Sequence, residues 1–190
     1  QEGPHHAPEH CALDAESRGD GYLLNGSKVM VLDASAADAF VVIARTEGES
    51  PSQQGLSAFL VGRDAPGLSV EKRSMVDSRN AGAVTLENVE LAADALLGEA
   101  GQAWEGLNRT LDIANIGMAS ELLGLSCEAF ERTVAYLQER KQFGRVIGSF
   151  QGLQHRAAEL FAELELARSI VLQALQTIDA GEQDLSLVAS

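Results

Sequence analysis

Beginning at Ala103, apolar residues recur at Leu107, Leu111, Met118, Leu122, Leu125, Phe130, Val134 and Leu137. Steps of three, four and seven return to one face of an α-helix, so the spacing predicts a single helix over residues 102–138. Globular helices average about 11–12 residues. One this long needs apolar partners along its length, because tertiary packing supplies most of a helix's stability. A second stretch supplies one: Leu153, Leu160, Leu164, Ala167, Val171, Ala174 and Ile178 predict a helix over 150–180, with Ser149 as N-cap and Gly181 as stop. The short connector forces antiparallel packing. "EQDLSLVAS" reads as the opening of a third helix. Two helices cannot cover both of their own faces, so the chain is expected to be a piece of a larger bundle.

Ahead of Gly98 the grammar is different. "AFVVIART" and "LSAFLVGR" are short apolar runs with β-branched residues, while "PGLSVEKRS" and "AGAVTLENVEL" alternate as strands do. Asn25-Gly26 within "GYLLNGSKVMVL" predicts a hairpin turn. Gly48, Pro51, Gly55, Pro66-Gly67 and Asn80 supply further turns. The fold class is therefore α+β: an antiparallel β-sandwich or barrel over 1–98, then part of an antiparallel helical bundle over 99–190.

Charge narrows the partners. The formal net charge is −14. It is spread over both halves, with 7 basic and 15 acidic side chains in 1–98 and 7 and 13 in 99–190. No basic arm is available for nucleic acid or anionic membrane. No apolar run is long enough for a membrane span, and the N-terminal residues lack a signal-peptide pattern. Cys11 and Cys127 make neither a disulfide framework nor a metal set, which points to a reducing, cytoplasmic setting. His5, His6 and His10 share a proline-bearing loop without ligand spacing, so no metal is expected there.

Against that acidic background, Arg140, Lys141, Arg145 and Arg156 gather within 17 positions, around "ERKQFGRVIGSFQ". A turn between helices needs only its glycine. Two explanations compete. The cations compensate a helix C-terminal dipole, worth a few tenths of a kcal/mol, or they bind something anionic.

These segments together resemble the acyl-CoA dehydrogenase family, namely its middle β-domain followed by the first helices of its C-terminal four-helix-bundle domain. "LNGSKVMVLDASAADAFVVIART" is similar to the family's LNG-x-K and AD-x-x-VV-x-AR strand segment. "GLSAFLVGRDAPGLSV" and "VTLENVELAADALLGEAGQAWEGL" resemble the following strands and the domain crossover. "ERKQFGRVIGSFQGLQHRAAEL" resembles R-x-x-FG-x-x-I-x-x-FQ. The resemblance implies FAD as cofactor, with this corner contacting the FAD of a neighbouring subunit. Arg140 would take the pyrophosphate, since a planar guanidinium binds it bidentately. Gln142 and Gln151 would bond ribose or adenine edges, and Phe143 would offer an apolar face. Met30, Val31 and Leu32 fall where the family carries Trp-Ile-Thr or Trp-Ile-Ser against the flavin ring. Leu32 has no hydroxyl to offer there, so the contact expected is through the backbone. "QEGPHHAPEHCAL" takes the place of the family's E-P-x-x-G-S-D flavin and substrate loop; Glu2, Gly3 and Pro4 echo it without the Gly-Ser-Asp.

The implied reaction is α,β-desaturation of an acyl-CoA thioester, a carboxylate removing the α-proton. The usual glutamate base belongs to a segment beyond Ser190. Some members place it instead on the long helix, where this chain has Ala114 followed by Asn115 in place of an arginine. Glu121, seven residues on, returns to nearly the same helical face and is a weak candidate. Asp112 and Asn115 are read as acyl-CoA contacts. The implied partners are homologous subunits in a homo- or hetero-oligomer, dimer or tetramer, that share FAD sites, and an electron acceptor such as an electron-transfer flavoprotein. Two alternatives stand beside an active dehydrogenase. One is a non-catalytic or half-site subunit of a hetero-oligomer. The other is a different flavoenzyme, an oxidase or monooxygenase, on the same scaffold.

Overall fold

A computed structural model describes residues 7–181 and residue 185. The chain divides into two compact units, Gln1–Leu107 and Asn108–Ser190.

The first unit is built on one seven-stranded sheet. In chain order its strands are β1 (Asp14–Arg18), β2 (Gly21–Leu32), β3 (Ala39–Arg45), β4 (Leu56–Gly62), β5 (Leu68–Ser74), β6 (Asn80–Ala92) and β7 (Leu96–Leu97). Their spatial order is β5-β6-β2-β1-β3-β4-β7. Every pairing is antiparallel except β1 with β3, which run parallel through the single partnership of Asp14 with Arg45. Inward positions of several strands meet in one core, with Leu13, Leu24, Leu56, Phe59, Leu86 and Val89 fully buried. Each such side chain contributes about 1.5–3 kcal/mol by leaving water. The Tyr22 ring meets Phe59 edge-on, centroids 4.9 Å apart, and Trp104 and Leu107 pack on the same core from the chain that follows the sheet.

The Asn25-Gly26 hairpin expected from sequence is absent. Both residues lie inside the continuous strand β2, at a bulge where the register with β6 slips between Leu24 and Gly26. Gly26 has φ +142°, and a Cβ there would lie 2.9 Å from Leu13 Cγ. The glycine thus serves a close approach of strands rather than a turn. Asn25 completes the bulge by accepting the Asn88 N–H at 2.7 Å, Asn88 itself having φ +53°. A second slip follows between Lys28 and Val31, where Met30 has φ +54°. Past the second slip the ladder resumes, Val31 pairing with Gly82 and Leu32 with Ala81, so the bulge re-aims the side chains around Met30 while the strand end stays in the sheet.

The second unit is a helical hairpin. Helix α1 (Trp104–Glu139), whose first residues belong to the sheet unit, is followed by β8 (Lys141–Gln142), β9 (Arg145–Val146), a 3₁₀ turn over Ile147–Ser149 and α2 (Gln151–Asp179). The helices run antiparallel. Phe130 meets Phe161 with centroids 6.2 Å apart, and Arg168 donates to Cys127 Sγ at 3.3 Å. The hydrogen bond that Arg168 donates to Glu165, then the charge of Cys127, raises the Arg168 guanidinium further above its usual range. Ser149 is not the N-cap expected of it. It ends the 3₁₀ turn, its hydroxyl donating to Val146 O at 2.7 Å, and Phe150 occupies the cap position without a side-chain bond. Gly181 stands one residue past the C-cap at φ +71°, its N–H on Ile178 O at 2.9 Å, which satisfies an orphan carbonyl as a left-handed glycine there does. The third-helix segment from Glu182 onward lies outside the described residues, apart from Leu185, which is buried.

Candidate functional site

The corner is more elaborate than a helix end. The last turn of α1 holds no basic residue, so the cations lie beyond it. Arg140 N–H still bonds Tyr136 O, and Arg140 O accepts the Ile147 N–H at 2.8 Å. Between those two bonds the chain makes a miniature hairpin: Lys141 pairs with Val146 and Gln142 with Arg145. Its two-residue turn is Phe143-Gly144, with φ +54° and +78°, both positive as a type I′ turn requires. Asn-Gly is the favoured sequence for that turn. Phenylalanine at positive φ is unusual, and the left-handed conformation costs an L-residue about 1–2 kcal/mol. The ring gains no burial in return, being 88% exposed. Strain that holds an apolar ring out in solvent points to function.

The polar groups of the corner point the same way. Among the described residues, the Arg140 guanidinium and the Lys141 ammonium form no ion pair or side-chain hydrogen bond, and the Gln142 and Gln151 amides form no side-chain hydrogen bond; all four residues are exposed. Arg145 differs: its guanidinium stacks on Phe150, a contact the sequence reading missed. The donor set suits a polyanion carrying planar rings.

In the sheet unit, Val31 packs against the core while Met30 and Leu32 turn outward, 51% and 63% exposed. Leu32 borders a cavity of about 310 Å³ that Asp33, Arg79 and Asn80 also line. Among the described residues, Asn80 Oδ1 is buried without a hydrogen-bond partner. FAD fits these two regions unequally. The hairpin offers cations and amides suited to its diphosphate and nucleoside. The Leu32 stretch offers main-chain groups and apolar surface only.

On α1, Asp112 accepts the Asn108 side-chain N–H at 3.1 Å. Asn115 is exposed and makes no side-chain bond among the described residues. Ala114 and Glu121 are exposed as well. Glu2, Gly3, Pro4, His5 and His6 lie outside the described residues. Among the described residues no group of His, Cys, Asp and Glu could hold a metal ion, and no helix is long and apolar enough to cross a membrane.

This arrangement has close parallels among known proteins. The profile of the acyl-CoA dehydrogenase middle domain matches residues 6–89 and that of the acyl-CoA dehydrogenase C-terminal domain matches 101–190. The chain belongs to the acyl-CoA dehydrogenase family. It is 36% identical over 170 residues to the mitochondrial short/branched chain specific acyl-CoA dehydrogenase of Bos taurus, a match covering 88% of this chain and 39% of that protein. It is 33% identical over 166 residues to the short-chain specific acyl-CoA dehydrogenase of Clostridium acetobutylicum, covering 86% and 44%. The butyryl-CoA dehydrogenase of Megasphaera elsdenii superposes with a TM-score of 0.85 at 28% identity, covering 95% of this chain and 48% of that one. The chain thus spans less than half the length of these relatives.

Proposed function

We propose that the chain forms part of an FAD-dependent acyl-CoA dehydrogenase that desaturates an acyl-CoA thioester between its α and β carbons. In this reading residues 1–98 are the middle β-domain and 99–190 the first helices of the four-helix-bundle domain. The observation that carries it is the Arg140–Val146 hairpin. It holds two cations that are unpaired among the described residues, beside a strained, solvent-facing phenylalanine, in a chain of this family. Arg140 holds the FAD diphosphate of a neighbouring subunit, Gln142 and Gln151 bond its ribose or adenine edges, and Phe143 lies against its planar rings. Met30, Val31 and Leu32 bound the flavin ring of the chain's own site through their backbone. The redox chemistry, acceptance of the β-hydrogen, is the flavin's.

Asp112 and Asn115 line the acyl-CoA path. Asn115 is neutral, so it gives the CoA phosphates a hydrogen bond without charge. Ala114 and Asn115 supply no base at that level of α1; Glu121, two turns further along, is the candidate within this chain. Short or branched acyl groups are the substrate class that similarity to the bovine and clostridial enzymes favours. The working assembly is an oligomer with shared FAD sites. It passes electrons to an electron-transfer flavoprotein and, with both cysteines unbridged, resides in the reducing cytoplasm.

A second reading has its own observation. Leu32 and Asn115 withhold a hydroxyl and a cation at two ligand positions, which suits a half-site subunit that completes the FAD pocket of a partner. The absorbance spectrum of the full-length protein, alone and mixed with a co-encoded homologous subunit, separates the two. A flavin band near about 450 nm in the protein alone, bleached anaerobically by a short-chain acyl-CoA, supports the dehydrogenase. A band in the mixture only supports the half-site subunit. No flavin in either sinks both.

A further inference from the structure

Arg45 ends β3 and is only 6% exposed, yet among the described residues its guanidinium has no carboxylate partner. Nε donates to Cys11 O at 3.1 Å, Nη1 to Gln54 O at 2.7 Å, and Nη2 to Glu9 O at 3.1 Å and Ser52 O at 2.9 Å. A buried cation normally finds an anion, because desolvation is expensive. Here four main-chain carbonyls from two irregular segments take that place. Filling a core needs no charge. A rigid planar fork of donors is needed where several carbonyls must be held in fixed mutual positions.

The segment so held has a second anchor. Cys11, 3% exposed, receives the Lys28 ammonium on Sγ at 3.3 Å and donates to Ile43 O at 3.4 Å. Lys28 lies on β2, at the bulge that carries Met30 and leads into Leu32. A line of contacts therefore runs from Arg45 through Cys11 to Lys28 and the start of the ligand-facing stretch of β2.

We propose that Arg45 is a positioning residue. It seats Glu9–Cys11 against Ser52–Gln54 and so fixes the flavin and acyl-CoA loop, to which Glu9–Cys11 belongs, relative to Met30–Leu32. The placement of that loop rests on the dehydrogenase reading; the latch itself does not.

The test uses the full-length protein and its Arg45→Met and Arg45→Lys variants. Iodoacetamide labelling is followed peptide by peptide, alongside flavin-to-protein ratio after dialysis and KM against kcat. In Arg45→Met, labelling of Cys11 rises about tenfold or more, the loss expected when bonds from a charged donor are removed. Labelling of Cys127, in the other unit, stays constant and excludes general loosening. Flavin retention falls and KM rises more than kcat falls. Arg45→Lys lies between, since an ammonium cannot reach four carbonyls at once, and it carries the comparison if Arg45→Met does not fold. Unchanged Cys11 labelling overturns the latch. Equal rises at Cys11 and Cys127 also overturn it, leaving Arg45 a general stabiliser. Faster Cys11 labelling with unaltered flavin retention and KM overturns the positioning role. A wild type that never binds flavin, with Cys11 still released by Arg45→Met, defeats the dehydrogenase reading and the loop's role with it, leaving the latch alone.

Discussion

The guanidinium carbon of Arg145 lies 4.0 Å above the centre of the Phe150 ring. The same ring meets Phe143 edge-on, centroids 6.1 Å apart and planes at 84°. Phe150 is thereby a platform for the turn residue Phe143 and for Arg145 of β9, just before α2 begins. A cation over an exposed ring is worth about 0.5–1 kcal/mol. Arg145→Ala is expected to lower the stability of the protein by that amount in urea titration, with the slope m unchanged. Its flavin-to-protein ratio should fall far less than that of an Arg140 variant, because Arg145 is already committed to Phe150.

Phe143 trades stability for exposure. Asparagine is at home at the first position of a type I′ turn, so Phe143→Asn relieves the left-handed strain. We expect it to gain about 0.5–1 kcal/mol in thermal or urea unfolding, part of the cost an L-residue bears there. Flavin retention should drop in the same protein, since the apolar face is gone. A variant that loses stability, or one that keeps its flavin in full, would show that the ring serves the fold instead.

Two glycines of the corner differ in what they permit. A Cβ on Gly148 would lie 2.7 Å from Leu137 O, at the end of α1. The backbone of the turn would have to move, so Gly148→Ala should cost about 1–3 kcal/mol, as overpacking does. A Cβ on Gly144 meets nothing within 4 Å, and only its φ of +78° opposes a side chain. Gly144→Ala should cost about 1 kcal/mol. Melting temperatures of the two variants in one buffer check the order; a milder effect at Gly148 would contradict its close approach to Leu137 O.

Periodicity carried the helices well, because a 3.6-residue repeat sustained over many turns has no strand alternative. The expected spans 102–138 and 150–180 meet Trp104–Glu139 and Gln151–Asp179. The strands of the AFVVIART and LSAFLVGR runs were equally plain. What failed was local chemistry whose meaning depends on distant partners. Asn25-Gly26 carries the same two letters in a hairpin as in a bulge; Leu13 and Asn88, close only in the fold, decide which. Ser149 reads as a cap until its hydroxyl finds Val146 O. Arg45 reads in sequence only as the arginine that ends a strand, since nothing in one sequence says that its four acceptors lie on segments around residues 10 and 53. The cation corner was legible as a cluster. Its hairpin was not, because Phe-Gly is a poor type I′ signal and the positive φ of both residues is a property of the folded backbone.

Arg140 gives the sharpest test of the corner. It is exposed and its guanidinium makes no bond among the described residues, so removing it breaks no side-chain bond among them, and a loss of flavin points to a ligand contact. The last turn of α1 lacks basic residues, and dipole compensation would amount to only a few tenths of a kcal/mol. A charge-assisted pair with a diphosphate is worth roughly 1.5–3 kcal/mol, or about 10- to 150-fold in affinity. Arg140→Ala should therefore reduce flavin affinity by that factor with unfolding midpoints of the flavin-free protein unmoved. Arg140→Lys should recover only part, because an ammonium is a point charge without the planar fork. Flavin-to-protein ratios after dialysis, taken for wild type, Arg140→Ala, Arg140→Lys and Arg145→Ala in the full-length protein, give the comparison. Four equal ratios would remove the diphosphate from this hairpin and leave Phe143 strained for no ligand.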